Sequence, residues 1–433
     1  MGASKSTVER VEIPAEQASP ETSRQPSGNN SALAGLAWLL AFLIGLNVLV
    51  LSIDPLQVVP EDETPPLQLA KTSIAFKMKE LASADRGPDI LLLGSSLPMY
   101  AFYESEIGGF YDQSLMKRME TRGVSPLRGY TGAHRFEKEL ARATGHEVRV
   151  FNFSIPAAMV SDMHLVLNRS LEAGHKPARV VIAAGLRDFV DRVNPSLGAT
   201  PTFLELSDAR YLGANWGLLA SNAKADDLSN LVESALFPVW RYRGELKLAA
   251  DHYLSLLFER PTAHKLDVIN FGKKQAESST VQAAAVSNKI LPAATARPPA
   301  SSEVRTTITG PSVVLDELDY RQRYNPPDMS QLRSEFAMLE SILEICRKKG
   351  IAVTLVNMPV SRGHRLLSEP SLRNEYLGRL EAVSTRYGAD LIDYELSSQF
   401  QDTDFRDTVH LSAGGSLKLV ADLADRLSGA DGI

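Results

Sequence analysis

Five short apolar runs recur along the chain, separated by longer stretches with helical periodicity. Four of the five are hydrophobic at nearly every position, as strands buried on both faces of a sheet require. The runs cover residues 89–94, 148–153, 178–184, 351–357 and 389–393. Between the third and fourth, residues 329–349 place apolar side chains three and four positions apart and stop at Gly350. This alternation predicts an α/β fold with a parallel, doubly wound, five-stranded sheet.

A sixth apolar segment, residues 31–53, contains no charged residue. A helix of this length spans the roughly 30 Å hydrocarbon core of a bilayer. The alternatives are a buried core helix, which is rarely so uniformly apolar, and a cleaved signal peptide, which normally has a short basic leader. We expect an uncleaved single-pass transmembrane anchor. Arg24 precedes it and an acidic cluster at 61–63 follows it, so the positive-inside rule favours a cytoplasmic tail and a periplasmic location for the bulk of the chain.

The remaining segments differ in composition. Residues 1–30 are polar and rich in Pro, Ser and Glu, and residues 273–312 are rich in Ala, Ser, Thr and Pro. We expect the first to be a disordered tail and the second a disordered linker, because neither can bury enough apolar surface to fold. Residues 54–88 are a juxtamembrane segment, and 89–428 form one α/β domain. An aromatic and Arg-rich stretch at 200–270 predicts a helical insertion that caps the core, with a lid or a membrane-surface helix as alternatives.

The charge balance and the motif content exclude several function classes. The 433 residues include 46 Lys and Arg against 52 Asp and Glu, a net charge of −6, so nucleic acid is not an expected partner. No phosphate-binding glycine loop follows a strand, which removes support for a nucleotide cofactor. The single Cys346 cannot build a thiolate site, and the His residues lack ligand spacing. We therefore expect neither a cofactor nor a metal.

Reactive residue types follow the first and the last predicted strands. Ser95 and Ser96 come directly after Gly94, where a tight turn would expose a hydroxyl among converging backbone N–H groups. Asp407 and His410 lie three positions apart just before the last helix. This spacing lets a carboxylate hold one imidazole nitrogen while the other faces a serine. Taken alone, the first segment is more typical of a plain turn or a helix cap, and the second is compatible with an exposed Asp and a capping His.

Together, the serine after the first strand and the Asp-x-x-His after the last resemble the SGNH (GDSL-like) hydrolase superfamily. The resemblance covers residues 88–195 and 313–428. It implies a flavodoxin-like three-layer α/β/α fold, with Ser96 as nucleophile, His410 as base and Asp407 as the residue that orients it. Ser95 occupies the position of the usual Asp of Gly-Asp-Ser. The N-terminal anchor is similar to the envelope branch of the superfamily, which includes polysaccharide O-acetylation and D-alanyl transfer proteins.

Two middle segments depart from the pattern of this superfamily. The stretch that begins at Asn152 has Ala157 and Ala158 where a glycine amide usually lines the oxyanion hole. The usual Gly-x-Asn-Asp is replaced by Gly185-Leu186-Arg187-Asp188, which removes the Asn donor. The candidates for oxyanion or substrate contact are Ser95, Asn152, Ala157, Ala158, Gly185 and Arg187. Arg187 either replaces the missing donor or binds an anionic substrate group.

These features predict a membrane-anchored serine esterase or O-acyltransferase that acts on acyl groups of cell-envelope or extracellular glycans. Its expected partners are the membrane, a glycan or acylated envelope substrate and a membrane acyl-donor protein. The alternative is a catalytically inactive scaffold or glycan-binding protein with the same fold. A basic loop at 362–365 is compatible with either substrate contact or plain solvation.

Overall fold

The structure is a computed structural model that describes residues 29–52, 66–107, 109–193, 197–198, 200–257 and 311–429. The chain divides into two compact units, residues 1–49 and residues 50–433. The predicted tail up to residue 28 and the predicted linker from 273 to 310 lie outside the described residues.

Among the described helices, α1 (Asn29–Ser52) alone is long and apolar enough to cross a membrane. Its most apolar window, Leu33–Val50, has a mean hydropathy of 2.4. Trp38 and Phe42 in this window are 78% and 64% exposed, so the helix does not bury them as a core helix would. This agrees with the predicted span at 31–53.

Five parallel strands form one sheet in the second unit. They are β1 (Ile90–Gly94), β2 (Val150–Ser154), β3 (Arg179–Ala184), β4 (Ala352–Asn357) and β5 (Asp390–Asp393). The strand order β2-β1-β3-β4-β5 is that of doubly wound, flavodoxin-like sheets. Each strand begins and ends within two residues of the predicted run. The predicted fold class is therefore confirmed.

Seventeen helices are described in the chain, and five of them lie between β1 and β3. These five are α3 (Ser96–Ser105), α4 (Gln113–Thr121), α5 (Pro126–Gly129), α6 (His134–Thr144) and α7 (Val160–Glu172). Before β1 comes α2 (Pro66–Ala82). After β3 follow α8 (Pro201–Leu206), α9 (Ala209–Asn222), α10 (Ala225–Leu236), α11 (Pro238–Arg241), α12 (Arg243–Leu257), α13 (Pro311–Tyr324), α14 (Met329–Lys349), α15 (Arg362–Arg365), α16 (Pro370–Tyr387) and α17 (Ala413–Ser428).

Two helical layers cover the sheet. Helices α3, α6 and α17 pack together in one layer, and α7, α14 and α16 pack together in the other. In α14 the predicted apolar stripe is buried, including Phe336 and Cys346. Because every strand runs in the same direction, all five carboxyl ends lie along one edge, where Gly94 is level with Ser154 and Ala183. The loops at this edge carry the candidate residues.

The juxtamembrane segment contains a helix, α2, that the sequence did not predict. Its Ile74 and Leu81 join the main core, and its Lys71 forms a buried ion pair of 2.8 Å with Glu245 of α12. Lys77 is also buried, and its Nζ donates hydrogen bonds to the carbonyl oxygens of Tyr130 and Asn152 at 2.6 and 3.2 Å. Burial lowers the pKa of Lys77 to about 7. Helix α2 is thus part of the folded unit.

The stretch 200–270 is helical as far as the structure describes it. Helices α8 to α12 occupy residues 201–257, which lie between β3 and β4 along the chain. Helix α8 packs on α2 and α7. Residues 258–270 lie outside the described residues. The aromatic side chains of Trp216 and Trp240 are 47% and 41% exposed.

Candidate active site

The turn after β1 presents two serines in different environments. Gly94 is required there, because a Cβ would approach the Ala183 carbonyl oxygen to 2.5 Å. Ser95 is fully buried and caps α3, where its Oγ accepts from the Leu97 N–H and donates to Asp188 Oδ2 at 2.9 Å. Ser96 is the first residue of α3 and is partly exposed. The hydroxyl available for chemistry is therefore that of Ser96.

The loop before α17 holds Asp407 and His410 in a fixed turn. An antiparallel bridge joins Phe405 to Leu411, and the Arg406 N–H donates to the His410 carbonyl oxygen at 2.9 Å. Asp407 Oδ1 accepts from the backbone N–H of His410 at 2.7 Å. Its other oxygen, Oδ2, lies 2.8 Å from His410 Nδ1. Asp407 thus fixes both the backbone and the ring of His410.

The structure brings Ser96, His410 and Asp407 into one hydrogen-bonded chain. His410 Nε2 lies 3.0 Å from Ser96 Oγ, and the His410 side chain is 16% exposed. A proton on Nδ1 is held by the Asp407 carboxylate, which leaves the Nε2 lone pair directed at the serine hydroxyl. This arrangement can remove the hydroxyl proton as the oxygen attacks an electrophile.

Asp407 is kept as a carboxylate despite partial burial. Burial alone raises a carboxyl pKa, but hydrogen bonds from the His410 ring and from the backbone N–H groups of His410 and Val409 outweigh it. The net effect holds the pKa of Asp407 below its ordinary value. The group opposite Nδ1 is therefore anionic at neutral pH.

Tyr100 is a site residue that the sequence reasoning missed. It lies one turn after Ser96 on α3, and its ring centroid is 4.2 Å from that of His410. The Arg406 guanidinium lies over the Tyr100 ring, 5.0 Å from its centroid, and pairs with Glu104 at 3.0 Å. The spacing of four from Ser96 is the available signal for it. Tyr100 packs against the imidazole and limits its rotation.

Asp188 joins the ends of β1 and β3. Its Oδ2 accepts from Ser95 Oγ and from the Gly185 N–H at 2.9 and 3.0 Å, and the residue is fully buried. Burial raises the pKa of Asp188 to about 6, against the opposing effect of Arg187. The side chain holds Ser95, and with it the start of α3, against the loop after β3.

Arg187 is buried with its charge compensated internally. Its Nε donates to Asp191 Oδ2 at 3.2 Å, and Nη1 lies 4.0 Å from Asp188 Oδ1. Asp191 also accepts from Arg323 at 2.6 Å. The guanidinium thus lies beside two carboxylates, those of Asp191 and Asp188. Its role as a replacement for the Asn donor, or as a site for an anionic group, stays a prediction.

The other oxyanion candidates differ in where their donors point. The Gly185 N–H donates to Asp188, and the Ala158 N–H donates to the Ile155 carbonyl oxygen at 3.2 Å. Asn152 is buried in β2, where its side-chain oxygen accepts from the Ser154 N–H at 3.0 Å. The N–H groups of Gly185 and Ala158 thus have acceptors within their own loops. The hydrogen bonds inside the loops, which the sequence does not reveal, account for the difference.

Ala157 adopts a backbone conformation that normally favours glycine. Its φ is +61°, in the left-handed region, and its side chain is exposed. The loop that carries it is held beside β1, because the Ile155 N–H donates to the Gly94 carbonyl oxygen at 3.0 Å. Ala157 therefore has a backbone conformation that glycine usually adopts.

The loop 362–365 contains one exposed and one buried basic residue. Arg362 is exposed, whereas His364 is buried and its Nε2 lies 3.0 Å from the Tyr324 hydroxyl. Burial lowers the pKa of His364 to about 3, so it is neutral. It lines a cavity of about 20 Å³ with Arg187 and Tyr320, which has room for about one water molecule. His364 is therefore an internal residue, whereas Arg362 faces solvent.

An open groove of about 750 Å³, larger than the cavity beside His364, lies near the amino ends of β1 and β2, at the edge opposite Ser96. Among the residues that the structure describes, no three His, Cys, Asp or Glu side chains are grouped to hold a metal ion.

Residues 127–427 match the family described as "Protein of unknown function (DUF1574)". The match includes Asp407 and His410 and begins after Ser96. No curated protein matches the chain.

Proposed function

The chain belongs to the DUF1574 family, and we propose that it is a membrane-anchored serine esterase or O-acyltransferase. The observation that carries the proposal is the continuous chain of contacts from Asp407 through His410 to Ser96, with atom separations of 2.8 and 3.0 Å. Such a chain activates a hydroxyl as a nucleophile for acyl transfer.

In the proposed reaction, Ser96 Oγ attacks the carbonyl carbon of an ester while its proton passes to His410 Nε2. The tetrahedral intermediate collapses, the alcohol leaves with the proton from His410, and an acyl-serine remains. Water or a sugar hydroxyl then gives its proton to His410 as it attacks the acyl carbon. The second tetrahedral intermediate collapses, and Ser96 Oγ leaves with the proton from His410, which releases the acid or the acylated sugar. Asp407 stabilises the imidazolium in both halves, because its carboxylate faces Nδ1.

The negative charge of the intermediate needs donors near Ser96. The Ser96 N–H lies in the first turn of α3, where N–H groups have no acceptor within the helix and the helix dipole favours an anion. The Ala157 segment, held next to Gly94, is the neighbouring backbone. We assign the oxyanion position to the space between these two segments.

The same residues support membership of the SGNH hydrolase superfamily as part of the proposal. The sheet has the flavodoxin-like order, Ser96 follows β1, and the Asp-x-x-His segment follows β5. We further propose that α1 anchors the chain with the folded unit on the periplasmic side, and that the substrate is an acylated envelope glycan. A reporter fused to the C-terminus tests the sidedness: alkaline phosphatase active there supports it, and a fluorescent cytoplasmic reporter contradicts it.

A second candidate function is a non-catalytic, glycan-binding envelope protein. The observation that favours it is that Gly185 and Ala158 donate their N–H groups within their own loops. In this case the contacts of Ser96 are structural, and substitutions at Ser96 leave the biological role intact.

Labelling with a fluorophosphonate probe distinguishes the two functions. We expect the full-length protein in detergent to be labelled, the Ser96→Ala variant not to be labelled, and the Ser221→Ala control to behave as wild type, because Ser221 is an exposed residue of α9. Equal labelling of wild type and Ser96→Ala contradicts the nucleophile. Absence of labelling together with absence of ester hydrolysis supports the binding protein instead.

A further inference from the structure

Large apolar side chains are exposed at the corner where α10 ends and α11 begins. Leu236, Phe237 and Trp240 are 52%, 42% and 41% exposed and lie close together in the chain. The Arg243 guanidinium lies over the Trp240 ring, 4.2 Å from its centroid, and its Nη1 donates to the Trp240 carbonyl oxygen at 2.7 Å. We call these four residues the corner patch. Single exposed apolar side chains are common, whereas a group of them beside a cation marks a contact surface.

The corner patch is part of a fixed structure. Arg241, at the end of α11, donates from Nε to the carbonyl oxygen of Ser234 in α10 and from Nη1 to that of Glu205 in α8, both at 3.1 Å. The Phe237 N–H donates to the Glu233 carbonyl oxygen at 2.9 Å. The exposed side chains are therefore presented by a corner that is hydrogen-bonded to α8.

The corner patch is also joined to α2, the first helix of the folded unit that the structure describes. Lys71 Nζ donates to the carbonyl oxygen of Arg241 at 3.1 Å and pairs with Glu245 at 2.8 Å, and both side chains of the pair are 3% exposed. Lys71 follows the start of α2 at Pro66 by five positions, or about 7.5 Å along a helix axis. The corner patch therefore lies next to the first turns of α2.

The chain length between α1 and α2 limits the distance of this corner from a membrane. Helix α1 ends at Ser52 and α2 begins at Pro66, so the thirteen residues 53–65 join them. A segment of this length reaches at most about 50 Å. With α1 in a bilayer, the corner patch is held near the bilayer surface at a high effective concentration. A contact too weak to bind a free protein then suffices.

We propose that the corner patch is a membrane-contact surface that lies in the interface of the bilayer that α1 spans. Trp side chains are enriched at the level of the lipid headgroups, where the ring meets both apolar and polar surroundings. Arg243 keeps its charged end among the headgroups while its stem packs on apolar groups, and it attracts anionic lipids. The proposal uses α1 as an anchor and does not depend on the chemistry at Ser96. It gives the folded unit a second attachment to the membrane.

Spin labels on the full-length protein in lipid nanodiscs test the contact. Cys346 is the only cysteine of the chain and is buried, so a new surface cysteine takes the label selectively. Leu236→Cys places the label in the corner patch and leaves Phe237 and Trp240 in place. Leu366→Cys is the matched control, because Leu366 is 73% exposed and follows α15.

Electron paramagnetic resonance measures how often each label meets oxygen, which concentrates in lipid, and a nickel chelate, which stays in water. The nanodiscs contain equal parts of phosphatidylcholine and phosphatidylglycerol. We expect the label at 236 to lie about 5 to 10 Å deep, at the boundary of headgroups and acyl chains, and the label at 366 to lie in water. Phe237→Ser combined with Trp240→Ser should lower the contact at 236 by about 10-fold or more, because it removes most of the apolar area.

Four results overturn the proposal. Equal access of the nickel chelate to both labels shows that the corner patch faces water and is free for a protein partner. A label at 236 that is hidden from both reagents shows that a second copy of the chain covers it. Lipid contact of both labels indicates unspecific adsorption. Lipid contact that persists in a double variant with an unchanged urea midpoint shows that the apolar side chains do not cause it. None of these measurements involves an ester, so they hold whether or not Ser96 is a nucleophile.

Discussion

The Oγ atom of Ser96 lies 3.0 Å from Nε2 of His410, although 314 positions of chain separate the two residues. Ser96 follows the interior strand β1, and His410 follows the edge strand β5 by a loop. The parallel sheet places both segments at one edge, and Asp407 then fixes the ring that spans the gap. The contact is therefore a product of topology and of one local turn.

Asp407→Asn tests whether the carboxylate serves the imidazole. An asparagine keeps the size of the side chain but presents an N–H donor to Nδ1 in one orientation, which favours the wrong tautomer. We expect kcat for ester hydrolysis to fall by about 10²-fold to 10⁴-fold. Asp425→Asn is the control, since Asp425 is 65% exposed and distant from the loop. A change of less than about threefold contradicts the assignment.

Asp188→Ala tests the link between β1 and β3. The substitution leaves the Ser95 hydroxyl and the Gly185 N–H buried without their acceptor. We expect the free energy of unfolding, measured by urea titration, to fall by about 2 to 4 kcal/mol. Ester hydrolysis is expected to fall as well, because Ser95 begins the turn that positions Ser96. The exposed Asp85→Ala provides the comparison, and an equal loss in both variants argues against the link.

Glycine substitutions at two adjacent alanines are expected to change the free energy of unfolding in opposite directions. Ala157→Gly removes the steric strain of a Cβ atom at φ +61°. The free energy of unfolding should rise by about 0.5 to 1 kcal/mol, once the greater chain entropy of glycine in the unfolded state is subtracted. Ala158 is buried and outside the left-handed region, so Ala158→Gly should lower it by about 1 kcal/mol. Urea unfolding of the two variants checks the difference. A loss of stability in both shows that the loop is unstrained.

Lys77 gives the folded unit a defined pH dependence. Burial lowers the pKa of Lys77 from its ordinary value of 10.5 to about 7 in the folded state, so the unfolded chain binds more protons between these pH values. Stability from this residue therefore rises with pH above 7, by at most about 1.4 kcal/mol per pH unit, and is flat below. Lys77→Met removes the effect.

The measurement is urea unfolding of wild type and Lys77→Met at pH 6.5 and pH 9. We expect the free energy of unfolding of wild type, relative to that of Lys77→Met, to be about 1 to 3 kcal/mol higher at pH 9 than at pH 6.5. Lys79→Met, in the same helix but exposed, is expected to show no such shift. An unchanged difference across the range shows that Lys77 keeps its proton in the fold.

The strands were predictable because buried parallel strands require continuous apolar runs, and Gly and Pro bound several of them. Helix α2 was not, because Lys71 and Lys77 interrupt its apolar pattern. Both lysines are buried against partners more than 50 positions away, Glu245 and the carbonyl of Tyr130. A sequence window cannot show that such partners exist, so a buried lysine is interpreted as a surface one.

In the candidate site too, some contacts were predictable from the sequence and others were not. The spacing of Asp407 and His410 indicated a turn that joins them, and the turn is present. The donors in the loops after β2 and β3 depended instead on backbone angles and on acceptors such as Ile155 and Asp188. The role of Tyr100 depends on the approach of two distant segments. Residue type and spacing predict local contacts, whereas these groups are placed by the tertiary fold.

The order of the site segments along the chain has a consequence for biosynthesis. A ribosome adds about 5 to 20 residues per second, so Ser96 is made roughly 15 to 60 s before His410. For much of that interval β3 lacks its neighbour β4, and until the interval ends the serine has no imidazole base beside it. On the proposed mechanism, a nascent or prematurely terminated chain that lacks residues 407–410 has no activated serine, and we expect reactivity towards esters only when the last loop is complete.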